Sequence, residues 1–75
     1  MTIKVYSKPN CQACDLTKTW LDSNNIPYTA IDAYEDADAM AELQSHGFMS
    51  FPVVTVGSFG NAWTGFEIDR LEELL

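Results

Sequence analysis

Lys8-Pro9-Asn10-Cys11-Gln12-Ala13-Cys14-Asp15-Leu16-Thr17-Lys18 carries both cysteines of a 75-residue chain, three positions apart and directly after a Pro-Asn pair. A CxxC spacing serves zinc sites and dithiol chemistry alike, so its surroundings must decide. Upstream, TIKVYS (residues 2–7) alternates Ile3 and Val5 with Lys4 and Tyr6, the period-2 signature of a strand, with Ile3 and Tyr6 both candidates for burial. The strand stops at Pro9-Asn10. From Gln12 to Asn24 the apolar residues Ala13, Leu16, Trp20 and Leu21 recur at helical spacing, and Asn24-Asn25 followed by Pro27 ends the run. The cysteine pair therefore opens a helix that follows a strand.

The remaining sequence continues that alternation. PYTAID (27–32) reads as a second strand, and Asp36 is placed to cap a helix over Ala37 to His46, which Gly47 ends. Its apolar face is Ala37, Met40, Ala41 and Leu43, and the acids of its first turn suit the positive end of the helix dipole as a solvated face. FPVVTV (51–56) starts a third strand with proline at its head, where the missing donor is tolerated. Residues 57–60 read as a turn and Asn61 to Trp63 as a short fourth strand. Thr64-x-x-Glu67 has capping-box spacing before a last helix whose Ile68, Leu71, Leu74 and Leu75 are expected to face the core. The order is βαβαββα: an α/β fold in one domain over residues 1–75, with a four-stranded mixed sheet and three helices.

Composition narrows the function. A chain this short is near the lower limit for folding alone, and 47% hydrophobic residues supply a small core. No apolar run is long enough to span a bilayer, and MTIKVYSK lacks the continuous apolar stretch of a signal peptide, so a cytoplasmic protein is expected. There thiols are kept reduced, and a CxxC is more often catalytic or metal-binding than a permanent staple. Eleven acids against four bases give a net charge of −7, which opposes binding to nucleic acid or anionic membrane. Lys4, Lys8, Lys18 and Arg70 are the only strong bases, so positions 19–69 hold neither Lys nor Arg. Anionic ligands find few cationic clamps.

Four readings of the pair compete. A structural zinc site needs four ligands, and only His46 offers a strong third. A structural disulfide would close too small a loop to constrain the unfolded chain much. A four-thiolate iron-sulfur cluster would need two chains. A redox couple fits without additions. At a helix start, Cys11 meets unpaired backbone donors and the positive dipole end, which lower a thiol pKa, and the thiolate is the attacking species. Cys14, one turn on, is expected to be less exposed, and i,i+3 spacing brings the two within disulfide reach. Cys11 is thus the candidate nucleophile and Cys14 the resolver. Lys8 is either electrostatic support for the thiolate or a solvated lysine, while Asp15 would oppose ionisation if turned toward the sulfurs. His46 reads as a helix-end surface residue. Trp20, Tyr28, Phe48, Phe59 and Phe66 read as core or boundary aromatics, with Phe51 and Trp63 unassigned by pattern.

Taken together, the strand, the CxxC at a helix start, Phe51-Pro52-Val53-Val54 and Trp63-Thr64-Gly65-Phe66 resemble the NrdH-type redoxins, a glutaredoxin-like branch of the thioredoxin fold, over essentially the whole chain. The resemblance implies a thiol-disulfide oxidoreductase and electron carrier without a bound cofactor. It would donate hydrogen to class Ib ribonucleotide reductase, through that enzyme's large subunit, and be recycled by thioredoxin reductase with electrons from NADPH. A monomer is expected. By the same resemblance Cys11 and Cys14 match the redox pair, and Pro52 matches the family's cis-proline, with Phe51 offering its backbone to a bound polypeptide. Trp63, Thr64, Gly65 and Phe66 match a W-S-G-F stretch that orders the loop beside the site. The chain departs from the family in having Glu67-Ile68 where Arg-Pro is common, and Gln12-Ala13 between the cysteines where Val-Gln is frequent. A glutathione-dependent glutaredoxin is the neighbouring alternative, and a redox-inert or metal-binding thioredoxin-like module the more distant one.

Overall fold

In the computed structural model, which describes residues 2–75, the elements run β1 (Ile3–Ser7), α1 (Gln12–Ser23), β2 (Thr29–Asp32), α2 (Ala37–Ser45), β3 (Val53–Val56), β4 (Ser58–Thr64) and α3 (Ile68–Glu72). The strands form one sheet in the order β2-β1-β3-β4. β1 and β2 are parallel, joined by α1, whereas β1 with β3 and β3 with β4 are antiparallel. This is the mixed four-stranded sheet with three helices that the alternation of patterns implies.

Both faces of the sheet are covered, which is why β1 buries residues of both parities. On one face Ile3 and Val5 pack with Val54, Trp63, Leu21 of α1 and Leu71 of α3. On the other, Tyr6 and Val53 pack with Ala33 and with Leu43, the buried residue of α2. Two thin cores thus share one sheet, with α1 and α3 on one side and α2 on the other.

The helices turn differently from the expected faces. α1 buries Cys14, Thr17 and Leu21, a run of +3 and +7 from the second cysteine. Leu16 lies two residues after Cys14, about 200° round the helix axis, and is exposed. In α2, Ala37 and Ala41 are exposed and Met40 is half-buried beside Leu43. The last helix is short, so that Leu71 is buried and Leu74 packs on the core while Ile68 and Leu75 face solvent.

Helix ends follow local chemistry. Asp36 caps α2 through its carboxylate, which accepts from the Ala39 amide at 3.0 Å. Gly47, at φ +79°, ends it: the Gly47 amide donates to the Gln44 carbonyl and the Phe48 amide to the Leu43 carbonyl. α1 ends the same way with Asn25 at φ +56°, whose amide bonds Asp22 while the Ile26 amide bonds Leu21. The Thr64–Glu67 capping box does not form. Thr64 is held in the sheet opposite Val53, so it cannot cap, and Glu67 itself is the N-cap of α3, without a side-chain bond. The hairpin is also tighter than residues 57–60 suggest, because Gly57 at φ +81° turns the chain alone and a bulge between Thr55 and Val56 absorbs the offset. β2 and β3 begin two residues later than Pro27 and Phe51, since neither proline enters the ladder.

Candidate redox site

Strand register brings the site segments to one end of the sheet. Ser7, the last residue of β1, pairs with Asp32 at the end of β2, and the Ala33 amide donates to the Ser7 carbonyl at 2.9 Å. On the other flank Tyr6 pairs with Val53 and Val53 with Thr64, so Pro52 and Gly65 continue the same row. The Gly65 amide closes it by donating to the Pro52 carbonyl at 2.9 Å. The CxxC loop, the segment after β2, the Phe51-Pro52 loop and the Gly65-Phe66 turn therefore leave from one edge.

At that edge Asn10 takes φ +57°, a left-handed conformation that asparagine tolerates, and delivers Cys11 to the N-cap of α1. The Cys11 sulfur accepts from the Cys14 amide at 3.2 Å, standing where a Ser or Asp oxygen usually caps a helix. Cys11 and Cys14 are joined as a disulfide with Cα atoms 5.2 Å apart. The two cysteines are unequally exposed as residues: Cys11 is 8% exposed and Cys14 1%. The expected ordering of exposure is present, although Cys11 offers a narrow window rather than an open surface.

The other residues singled out by the sequence divide into a wall and a frame. The Phe51–Pro52 peptide is cis, Pro52 is buried and Phe51 is half-buried. Gly65 has φ +84°, the conformation that lets its amide meet Pro52, and a Cβ there would touch nothing within 4 Å. Thr64 is partly buried and Phe66 is 37% exposed, a boundary ring rather than a core one. Trp63 lies in the core cluster under α3, with Arg70 stacked 4.9 Å from the centre of its ring. Its indole nitrogen is buried without a hydrogen-bond partner. Trp63 accordingly supports the loop from beneath and presents no open face. Lys8 is exposed and makes no ion pair among the described residues. His46 ends α2 at the surface, stacked on Phe59 with ring centres 4.3 Å apart.

Two exposed apolar side chains were not singled out by pattern. Tyr34 is 61% exposed, stands just beyond β2, and meets Phe51 edge-on at 6.1 Å. Its signal was topological: a strand parallel to β1 must end where β1 ends, so the residues after Asp32 share the edge with the cysteines. Met49 is the other, 80% exposed in the loop before Phe51. Among the described residues no group of three or more His, Cys, Asp or Glu side chains comes together to hold a metal ion. No described helix is long and apolar enough to cross a membrane.

Such an arrangement can exchange electrons through a dithiol, and comparison with known proteins agrees. Residues 3–59 match the Glutaredoxin family. The Glutaredoxin-like protein NrdH of Lactococcus lactis subsp. cremoris is 33% identical, over 96% of this chain and 97% of its own. A glutaredoxin-like 8.6 kDa protein in a Clostridium pasteurianum rubredoxin operon is 37% identical, over 95% of this chain and 97% of its own. The solved structure of the glutaredoxin-like NrdH-redoxin from Escherichia coli, described by a thioredoxin-like activity profile, superposes with a TM-score of 0.92. It has 28% identity, and the match covers 100% of this chain and 96% of that one. The chain belongs to the glutaredoxin family and, within it, to the NrdH-type redoxins with their thioredoxin-like fold. It is a thiol-disulfide oxidoreductase with a redox-active Cys11–Cys14 pair.

Proposed function

We propose that this redoxin reduces protein disulfides as the hydrogen donor of a class Ib ribonucleotide reductase in the cytoplasm, acting as a monomer. Thioredoxin reductase would return its electrons from NADPH. The observation that carries the mechanism is the asymmetry of the pair: Cys11 caps the helix with its sulfur and keeps a partial exposure, whereas Cys14 is buried. In the reduced protein the amide that reaches Cys11 would stabilise a thiolate there. That thiolate attacks one sulfur of the client disulfide, forming a mixed disulfide and expelling the second client sulfur as a thiolate, which takes up a proton. Cys14 then loses its proton and attacks the Cys11 sulfur, releasing the first client sulfur and leaving the Cys11–Cys14 disulfide. One electron pair and two protons pass to the client.

Pro52 and Phe51 would align the client chain beside Cys11, with Gly65 and Phe66 extending the same wall beyond Pro52 and Trp63 and Thr64 as support. Lys8 adds positive charge nearby. Preference for a flavoprotein reductase over glutathione follows from charge: glutathione carries two carboxylates, and residues 19–69 hold no Lys or Arg to pair with them. The thioredoxin-like activity profile of the similar Escherichia coli NrdH-redoxin favours the same assignment.

Two assays test it. Cys14→Ser is expected to accumulate a mixed disulfide with an oxidised reductase client, visible as a reducible adduct on non-reducing gels; no adduct would remove the two-step mechanism. Recycling by NADPH and thioredoxin reductase is expected to outpace recycling by glutathione, glutathione reductase and NADPH. Brisk turnover with glutathione would assign the chain to the glutathione-dependent glutaredoxins instead.

A further inference from the structure

Two hydrogen bonds in the first turn of α1 meet on a single peptide group. The amide N–H of Cys14 donates to the Cys11 sulfur at 3.2 Å. The carbonyl of that same peptide unit belongs to Ala13, and the Thr17 hydroxyl lies 2.9 Å from its oxygen. A carbonyl oxygen can only accept, so the hydroxyl donates. The result is a continuous chain: Thr17 Oγ1–H to Ala13 C=O, through the amide, to Cys14 N–H and Cys11 Sγ.

Thr17 is wholly buried, at a position where valine would supply the same shape without a polar atom. A buried hydroxyl must find an acceptor, and bonding back to the carbonyl four residues earlier is the common local solution in helices. That need alone accounts for the bond but not for its consequence here. Electron density drawn toward the Ala13 oxygen makes the Cys14 N–H a stronger donor, because linked hydrogen bonds polarise one another. The effect is greatest when the acceptor at the far end is an anion.

We propose that Thr17 is a positioning residue for the attacking sulfur, its hydroxyl acting through the Ala13–Cys14 peptide to stabilise the Cys11 thiolate. This rests on the reading of Cys11 as nucleophile. The sign follows: losing the hydroxyl weakens the donor to the thiolate, raises the Cys11 pKa, and shifts the thiol-disulfide equilibrium toward the disulfide.

The test compares the reduced wild type with Thr17→Val and Thr17→Ser, following Cys11 alkylation rate and ultraviolet thiolate absorbance against pH. Linkage strengthens a hydrogen bond to a charged group by about 10–30%, so Thr17→Val is expected to raise the Cys11 pKa by about 0.1–0.7 pH unit. Below the pKa that is up to about a fivefold loss of thiolate. Thr17→Ser keeps the hydroxyl and is expected to titrate as wild type. Lys8, Asp15 and Lys18 beside the pair, and Asp32, Glu35 and Glu67 on segments leaving the same sheet end, are common to all variants and cancel.

An unchanged titration in Thr17→Val, or an equal rise in both variants, would overturn the proposal. Should Thr17→Val fail to fold, Thr17→Ala is read in its place by NMR: the downfield move of the Cys14 amide proton on Cys11 deprotonation is expected to be smaller than in wild type, and an equal move would overturn the proposal. These readouts need no client. A failed Cys14→Ser trap with a normal Thr17 effect would therefore strike the proposed function alone.

Discussion

At the scale of single residues, the site depends on a few backbone contacts that other side chains cannot replace. Gly65 is the clearest, because its φ of +84° places an amide on the Pro52 carbonyl while leaving empty space where a Cβ would go. Gly65→Ala is therefore expected to cost about 1–2 kcal/mol through the backbone alone and to slow client reduction by loosening the wall beside Pro52. Urea unfolding and a turnover assay check both; full stability would show that the turn relaxes without consequence. The cysteine pair and Pro52 were legible in the sequence, the first by spacing and the second by family likeness. Thr17 was not, since a threonine within a helical pattern carries no mark of burial. Trp63 was legible as part of the site stretch, but only packing shows that its ring faces the core and Arg70.

Of the two longer helices, α2 has the weaker hold on the sheet. Leu43 is its one buried residue, with Ala39 and Met40 half-buried, whereas α1 sinks Cys14, Thr17 and Leu21. Leu43→Ala is expected to destabilise the fold by about 2–5 kcal/mol. In the wild type, hydrogen exchange is expected to be faster in α2 than in α1. Equal protection of the two helices would contradict this ranking. Element order and kind were readable because period-2 and helical spacings alternate along the chain and Asp36, Gly47 and Pro27 punctuate them. The helix faces were less readable. With apolar residues at Leu16, Ala37, Ala41 and Ile68 as well, the pattern admits more than one orientation, and only the position of the sheet selects among them. The false capping box has a similar cause: Thr64 is claimed by a ladder bond to β3 that no local motif can foresee.

For the molecule as a whole, two tyrosines set an alkaline limit. Burial, together with the charges of Glu42 and Asp36, raises the Tyr6 pKa above 10.0, and burial with the charge and hydrogen bond of Asp22 raises that of Tyr28. Below the unfolded value both states hold these protons and stability is unaffected; above it the unfolded chain ionises first, so stability falls as pH climbs through the folded values. The oxidised protein is expected to keep a constant urea midpoint from neutrality to about pH 10 and then lose it, with Tyr6→Phe showing a smaller loss. An identical alkaline decline in that variant would show that Tyr6 takes no part. Charge sign and size were plain from composition, but which tyrosines the fold sets beside acids is not a matter of composition. The central claim concerns the unequal sulfurs, and its most direct measurement is site-resolved alkylation of the reduced protein across pH, read by peptide mass spectrometry. Cys11 is expected to react first, with a midpoint below about 8.5, the value of a free thiol, while Cys14 stays protected. Equal rates at both sulfurs, or faster reaction at Cys14, would contradict the account.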